Sequence, residues 1–422
     1  MDQPPLPRKK FFYGWIITGL VFINLATAYG AQYSFGIFFP SLIEEFKWSR
    51  HDLAGVFSLY TLLYNFLGMF LGKLADRFGP RLVLIYGSLC LGIGIAWVSQ
   101  VSALWQLYVV YGLLAALGMS AAYMTASPTI VKWFVEKRGL AMGLAQAGHG
   151  IGVICIPPLT GFLILAFGWR QACMLLGLGV LAILFTMALF LVSHPEKLGL
   201  QPDGRANPPP PKAESSASAG SVQEPSFTLV EAMHTAPFWT LNAMLLANWI
   251  FVFFPLVHLV VLAIDLGVSR ESSFLAVSIL GGFSTLGRLL LGSISDRLGR
   301  KPILVFCFAL QIFSWLWLKA TTTTWMLFLF SGVFGFSYGG IGAIYPAIIG
   351  DYFGRRNAAS LIGAVLTIAG TAAAIGPVLG GYIHDWTGSY QLAYLLGALT
   401  NGISFVLVFL AKPPRKEVTG DP

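Results

Sequence analysis

Long apolar runs separated by short polar breaks dominate the chain, at roughly 11–40, 53–74, 81–101, 104–131, 138–166, 170–193, 236–264, 272–295, 302–320, 324–350, 357–383 and 389–411. A helix rises about 1.5 Å per residue, so roughly 20 apolar residues cross about 30 Å of hydrocarbon, and each run has that reach. The pattern predicts an all-α membrane protein of twelve spans. The first run follows Arg8, Lys9 and Lys10 and is far longer than the core of a cleaved signal peptide, so it is expected to remain as the first span. The one long polar break, 194–235, contains Pro208 to Pro211 and the serine-rich stretch Ser215 to Ser221. Such a composition buries no core and predicts a flexible linker. Near its end Thr228 and Glu231 have capping-box spacing, which admits a short amphipathic surface helix carrying Phe227, Leu229 and Val230; a simple tether is the plainer reading.

The runs repeat. Gly72-Lys-Leu-Ala-Asp76-Arg77-Phe-Gly79-Pro-Arg81 ends the second, and Gly292-Ser-Ile-Ser-Asp296-Arg297-Leu-Gly299-Arg300-Lys301 ends the eighth. Trp133-Phe134 with Lys137-Arg138 precedes the fifth, and Tyr352-Phe353 with Arg355-Arg356 precedes the eleventh. Two six-helix halves follow, 1–193 and 236–422, joined by the linker 194–235. In transporters built from repeated halves, the substrate lies near the midplane between them and one half rocks against the other. Asp76, Arg77, Asp296 and Arg297 are then conformational-gating loops, besides being charged turns between helices.

Composition agrees with lipid as the solvent: 56% of residues are apolar and 10% charged. The four cysteines, Cys90, Cys155, Cys173 and Cys307, lie in apolar runs, where a thiol behaves as a small hydrophobe. Lysine and arginine crowd one set of loops, including Lys73, Arg77, Arg81, Lys132, Lys137, Arg297, Arg300 and Lys301, while the other set holds Lys47, Arg50, Arg170, Arg270 and Lys319. The positive-inside rule puts both termini in the cytoplasm of a cell membrane, plasma or inner. The formal charge of +8 is therefore topological and implies no nucleic-acid partner. The sequence contains no HExxH metal motif and no phosphate loop, so neither an enzyme nor a metal or other cofactor is expected.

The paired Gly-Asp-Arg-Gly loops resemble the signature of the major facilitator superfamily along the whole chain. Trp133-Phe134-Val-Glu-Lys137-Arg138-Gly139-Leu-Ala-Met-Gly143 and the following Leu-Ala-Gln-Ala147-Gly148-His149-Gly150 are similar to the fifth-span motif of its monocarboxylate transporter family. Tyr13-Gly14-Trp15 resembles that family's first-span motif without its acidic residue. The Glu196 to Gly204 stretch and His258-Leu259-Val260 are similar to bacterial members, which grade into the oxalate:formate antiporter group.

A charge inside hydrocarbon is costly and functional by default, and only Arg288 qualifies. It lies eight residues before Asp296, roughly 12 Å in from the loop, while each of the eighteen acidic residues falls in a loop or near a span end. Either Arg288 is a structural residue satisfied by carbonyls and tyrosines, or its partner is a substrate carboxylate held by the guanidinium fork. The resemblance supports the second, since monocarboxylate transporters carry an arginine there. Their mammalian members also place an aspartate where this chain has Ser284 and a lysine where it has Tyr33. The lysine that oxalate exchangers add in the eleventh span is missing. The expectation is proton symport of a small monocarboxylate such as lactate, pyruvate or acetate by a functional monomer in the lipid bilayer, with organic-anion exchange of the oxalate:formate type as the alternative. Tyr123 and Tyr338 near mid-depth, and Tyr33 and Gln146, are candidate polar contacts, Leu144 a candidate apolar one. His149 and His258 are candidates for the proton, and His258 also for the substrate. His149 reads equally well as a packing residue within a run of glycines.

Overall fold

The computed structural model describes residues 12–134, 137–204, 227–354 and 358–414. Arg8, Lys9, Lys10, Arg355, Arg356 and the linker residues 205–226 lie outside these, as does the side chain of Asp76. Among the described residues there is no strand. Twelve long helical runs follow one another: α1 (Gly14–Phe46), α2 (Arg50–Phe78), α3 (Pro80–Gln100), α4 (Leu104–Trp133), α5 (Arg138–Phe167), α6 (Trp169–Phe190), α7 (Ala236–Asp265), α8 (Arg270–Leu298), α9 (Arg300–Lys319), α10 (Thr324–Phe353), α11 (Ser360–Thr387) and α12 (Gln391–Leu410). All but α2 are long and apolar enough to cross a membrane. Charged residues stand at both ends of α2, with Arg50, His51 and Asp52 at one and Lys73, Asp76 and Arg77 at the other.

The sequence repeat is a structural repeat. In the N-terminal half α2 packs on α4 and α3 on α6, and in the C-terminal half α8 packs on α10 and α9 on α12. The glycines of the two loops, Gly79 and Gly299, both have φ +91°, a conformation that L side chains rarely adopt, so a single residue turns the chain from one helix into the next. The aromatic pairs close each half in the same way: the Trp133 indole donates to the carbonyl of Val192 just past α6 (2.9 Å), and the Tyr352 hydroxyl to that of Ala411 just past α12 (3.2 Å). Helix breaks also correspond, at Ser34 in α1 and Phe253 in α7. Pro255 in α7, and Pro377 beyond a further break at Ala374 in α11, each remove a backbone donor from the interrupted turn.

The halves meet unevenly. At mid-depth a Cβ on Gly150 of α5 would lie 1.6 Å from Thr285 Oγ1 of α8, and one on Gly370 of α11 2.5 Å from Asn65 of α2. Seven residues nearer the termini-bearing face, on the same helix faces, Gly143 and Gly363 would meet nothing within 4 Å, nor would Gly72, which follows Asn65 at that spacing. The contact is thus lost roughly 10 Å further along. At the opposite, far face the halves are tied. Arg50 grips Asp265 with both guanidinium nitrogens (2.6 and 2.9 Å), Arg270 pairs with Glu44, and His51 donates its backbone N–H to Asp385 (2.9 Å) with its Nδ1 3.0 Å from the same oxygen. Three of the basic residues that the sequence assigned to this face are therefore paired, Arg170 with Glu45 at 2.7 Å being the third.

Of the alternative surface helix only one turn forms, Leu229–Met233, with the Thr228–Glu231 capping box in place. Phe227 does not lie on a membrane surface. It is buried against Phe353, whose carbonyl takes its N–H, and so anchors the linker's end to the C-terminal half. Among the described residues all four cysteines are free, Cys155 on the outer surface and Cys173 and Cys307 buried.

Candidate functional site

Arg288 stands on α8 beside Gly342 of α10, whose Cβ position is 3.8 Å from its Nε. That nitrogen is buried without a hydrogen-bond partner, and among the described residues no acidic side chain pairs with the guanidinium. Its electrostatic neighbours are rings: Tyr29 and Tyr33 of α1, Tyr123 of α4 and His149 of α5. Tyr338 of α10 completes the group, with its hydroxyl 3.4 Å from that of Tyr33. Five helices, three from the N-terminal half and two from the C-terminal, thus bring together five of the residues singled out from the sequence: Arg288, Tyr33, Tyr123, Tyr338 and His149. Ser284, one turn before Arg288, is buried with its hydroxyl unpartnered.

His149 is placed by its neighbours. Gly148 and Gly152 pack directly on α1, where a Cβ would lie 2.1 Å from Phe22 O and 1.9 Å from Ala26 O. The glycines account for the close approach of α5 and α1, and the histidine between them stacks on Tyr29 (3.7 Å, 27° between planes) and meets Tyr33 edge-on at 5.9 Å. The close helix packing of this run is thus the work of its glycines, while His149 packs on the rings of α1.

Two further rings escaped the sequence reading. Tyr29 touches both His149 and Tyr123, and Tyr64 of α2 lies 6.5 Å from Tyr123. A signal existed, since Tyr29 and Tyr33, and Tyr60 and Tyr64, are four apart and share a helix face.

Other expectations are corrected. Leu144 lies five residues before His149, roughly 140° around the helix, on the exposed side that carries Leu140, Ile151 and Phe162, and so does not line the group. Gln146 is half-buried on the face of α5 nearer His149. His258 is not in the group: it is fully buried on α7 beyond the Phe253 break, bonded to Tyr390 and to the carbonyl of Pro377, with Arg50, Asp385 and the titratable ring of His384 nearby. Of the gating-loop residues, Asp296 pairs with Arg300 (2.5 Å), while Arg77 and Arg297 are exposed, Arg77 lying over the ring of Phe78.

What the group offers chemically is one fork of guanidinium donors surrounded by phenol hydroxyls and an imidazole. That set matches a single carboxylate, with the imidazole as a group that can carry a proton.

The sequence profile of the Major Facilitator Superfamily matches residues 21–291 and 251–422. Among curated proteins, monocarboxylate transporter 12-B of Danio rerio is 26% identical over 94% of this chain and 86% of its own length. Monocarboxylate transporter 4 of Rattus norvegicus is 27% identical, with 96% and 86% covered, and monocarboxylate transporter 11 of Homo sapiens 27% identical, with 98% and 86% covered. Among solved structures, a bacterial homologue of the human lysosomal transporter Spinster, inward-facing and unoccupied, superposes with a TM-score of 0.69 at 15% identity, covering 97% of this chain and 96% of that one. A nucleoside transporter does so with a TM-score of 0.71 at 15% identity, covering 94% and 98%. Read together with the apolar helices and the internal repeat, these matches establish the chain as a multi-pass membrane transporter, not an enzyme, belonging to the Major Facilitator Superfamily.

Proposed function

We propose that the chain is a proton-coupled symporter for a small monocarboxylate of the lactate, pyruvate or acetate type. The observation that carries this reading is the half-buried Arg288 at mid-depth between the halves, its Nε buried without a partner and its guanidinium unpaired among the described residues, beside Tyr29, Tyr33 and Tyr123. Such a charge is costly unless an anion neutralises it. One fork without a second cation suits one carboxylate better than two, and relatives carrying the name monocarboxylate transporter support that choice.

The substrate carboxylate takes the Arg288 fork. Tyr33, Tyr338 and Tyr123 donate to its remaining lone pairs or to a hydroxyl or keto oxygen next to it. His149, packed on Tyr29 and Tyr33 and within the field of Arg288, is the group through which the proton passes, so that anion and proton cross together without net charge. With the basic loops in the cytoplasm of a cell membrane, as the positive-inside rule prefers, both termini are cytoplasmic, the gap between the halves opens inward, and the tied face is the external one. The paired loops around Asp76-Arg77 and Asp296-Arg297 act as gates between the two arrangements, in a protein that works as a monomer.

The test is uptake by proteoliposomes from a panel of mono- and dicarboxylates, with and without an inward pH gradient. A gradient is expected to drive lactate-type acids into vesicles that hold no internal substrate. Uptake that needs an internal counter-anion and ignores the gradient would replace symport with exchange.

A further inference from the structure

The far-face tie contains a hydrogen-bond chain whose direction can be deduced. Nε2 of His258 is 2.8 Å from the carbonyl oxygen of Pro377, and Nδ1 is 2.9 Å from the hydroxyl of Tyr390. A carbonyl only accepts, so Nε2 carries the hydrogen. In the neutral ring Nδ1 is then an acceptor, and the Tyr390 hydroxyl must be its donor. The same hydroxyl oxygen receives a hydrogen bond from Arg50 Nη1 (3.0 Å), and the guanidinium is fixed over the Tyr390 ring by its two bonds to Asp265. Donation therefore runs one way, from Arg50 to Tyr390 to His258 to Pro377. It starts in the first turn of α2, in the N-terminal half, and ends beside the interrupted turns of α7 and α11 in the C-terminal half.

A proton on His258 reverses this polarity at one point. Both ring nitrogens then donate, Nδ1 turns on an oxygen already facing Arg50, and the Tyr390 hydrogen loses its acceptor inside a buried site. The surroundings compensate only through the field of Asp385, which makes no hydrogen bond to the ring. Packed around the ring are Phe39 of α1 and Phe254 of α7, which carry no charge. Tyr390 and Tyr394 precede and open α12, and burial pushes the Tyr390 phenol up, so it stays a donor. From α2 come Arg50, His51 and Asp52; from the end of α7, Asp265; from α11, His384 and Asp385. Asp265 is held by Arg50, and Asp385 by His51.

We propose that the Arg50–Tyr390–His258 chain is a proton-sensitive lock on the far face: it closes only on neutral His258, and His258 takes up a proton from the far side once the halves part there. This deepens the proton-coupled reading above and rests on it for its physiological meaning. A proton accepted by the hydrated ring of the open form must leave towards the central site, or back to the far side, before the lock re-forms. The far face is thereby prevented from shutting with the proton stranded at the gate.

The test is independent of any substrate. Spin labels on cysteines introduced at the exposed positions Lys47 and Thr387, with Cys90 and Cys155 replaced by serine, report the far-face separation in lipid nanodiscs between pH 8 and pH 5. The open form binds more protons, so acidification is expected to lengthen the distance, mostly below the ordinary histidine value of about 6.5. In His258→Gln, whose amide can donate to Pro377 and accept from Tyr390 but takes up no proton, the far face should stay closed across the range. In Tyr390→Phe the distance should no longer follow pH although the Arg50–Asp265 pair is kept. His51→Gln and His384→Gln should leave the response in place. A response that survives in His258→Gln, or disappears in His51→Gln or His384→Gln, overturns the proposal. Lactate binding to the same variants, followed by calorimetry, reports separately on the Arg288 site, so failure of either reading is seen without the other.

Discussion

In the C-terminal half the large polar side chain at mid-depth is on α8, and α10 makes room for it with Gly342. In the N-terminal half the arrangement is exchanged. Aligning the two loops sets Gly68 of α2 opposite Arg288, and aligning Trp133-Phe134 with Tyr352-Phe353 sets Tyr123 of α4 opposite Gly342. α2 lies close against α4 there, so that a Cβ on Gly68 would fall 2.6 Å from Met124 Cε. One scaffold, folded twice, therefore supplies a charge from one side and rings from the other. The turns, the aromatic clasps and the helix breaks keep the symmetry, and the lining of the central site gives it up. On the function proposed above, symmetry would serve the rocking of two similar bodies, while binding an anion would need only one guanidinium.

Removing the charge breaks this division most severely. Arg288→Ala is expected to weaken lactate binding at least about 100-fold, the loss of charge-assisted hydrogen bonds worth roughly 1.5–3 kcal/mol together with the Coulomb attraction. Calorimetry on the purified protein measures it, with unchanged helical circular dichroism as the control for folding. Adding Gly68→Arg to that variant should not restore binding, because a side chain at that position first meets Met124 of α4 and has to displace it. Affinity within tenfold of the parent protein in Arg288→Ala would remove the C-terminal half from its role as anchor.

A smaller effect is expected where the halves touch. The N-terminal half reaches across the far face with Glu44, Arg50 and His51, and the C-terminal half answers with Arg270, Asp265 and Asp385. Among the described residues no ion pair joins the halves at the opposite face, where the pairs of Arg300 stay within one half. Asp265→Asn leaves the Arg50 charge facing a neutral amide, in a place where the arginine side chain is only 15% exposed. The far-face equilibrium should shift towards opening by roughly tenfold, the equivalent of about 1.4 kcal/mol. Spin-label distances at constant pH 8 would register it, and an unaltered distribution would mean that packing, not charge, holds that face closed.

How far the chain could be read in advance follows from which interactions are local. The apolar runs, the repeat and the lone charge of Arg288 are properties of short windows, and eleven of the twelve runs return as helices long and apolar enough to cross a membrane. Tyr123 and Tyr338, which counting along their helices puts near mid-depth, converge with Tyr33 and His149 around Arg288. Helix phase separates Leu144 from His149 and was equally available from the spacing. His258 is different. Its distance from the span end was legible, but its partners Tyr390 and Arg50 lie 132 residues after and 208 residues before it along the chain, and nothing local pairs them. The far-face lock was hidden for the same reason, since Arg50 and Asp265 are 215 residues apart.

The least effect is expected at the second place where the halves differ. Arg300 begins α9, bonds Ser295 and Asp296 at the end of α8 and reaches Asp351 near the end of α10, clipping three helix ends together. The corresponding residues of the N-terminal half are Pro80 and Lys132, which cannot form such a clip. If that half folds without it, the clip is a local reinforcement and not a condition of the fold. Its partners are well hydrated, Asp351 being 43% and Asp296 65% exposed, and exposed pairs contribute about 0.2–1 kcal/mol. Arg300→Ala should thus lower the thermal midpoint in detergent by no more than a few degrees and leave lactate affinity unchanged. A large drop in transport rate at unchanged affinity would instead make the clip part of the gate, and the two loops, alike in sequence and in their φ +91° turns, would then have separate roles in the cycle.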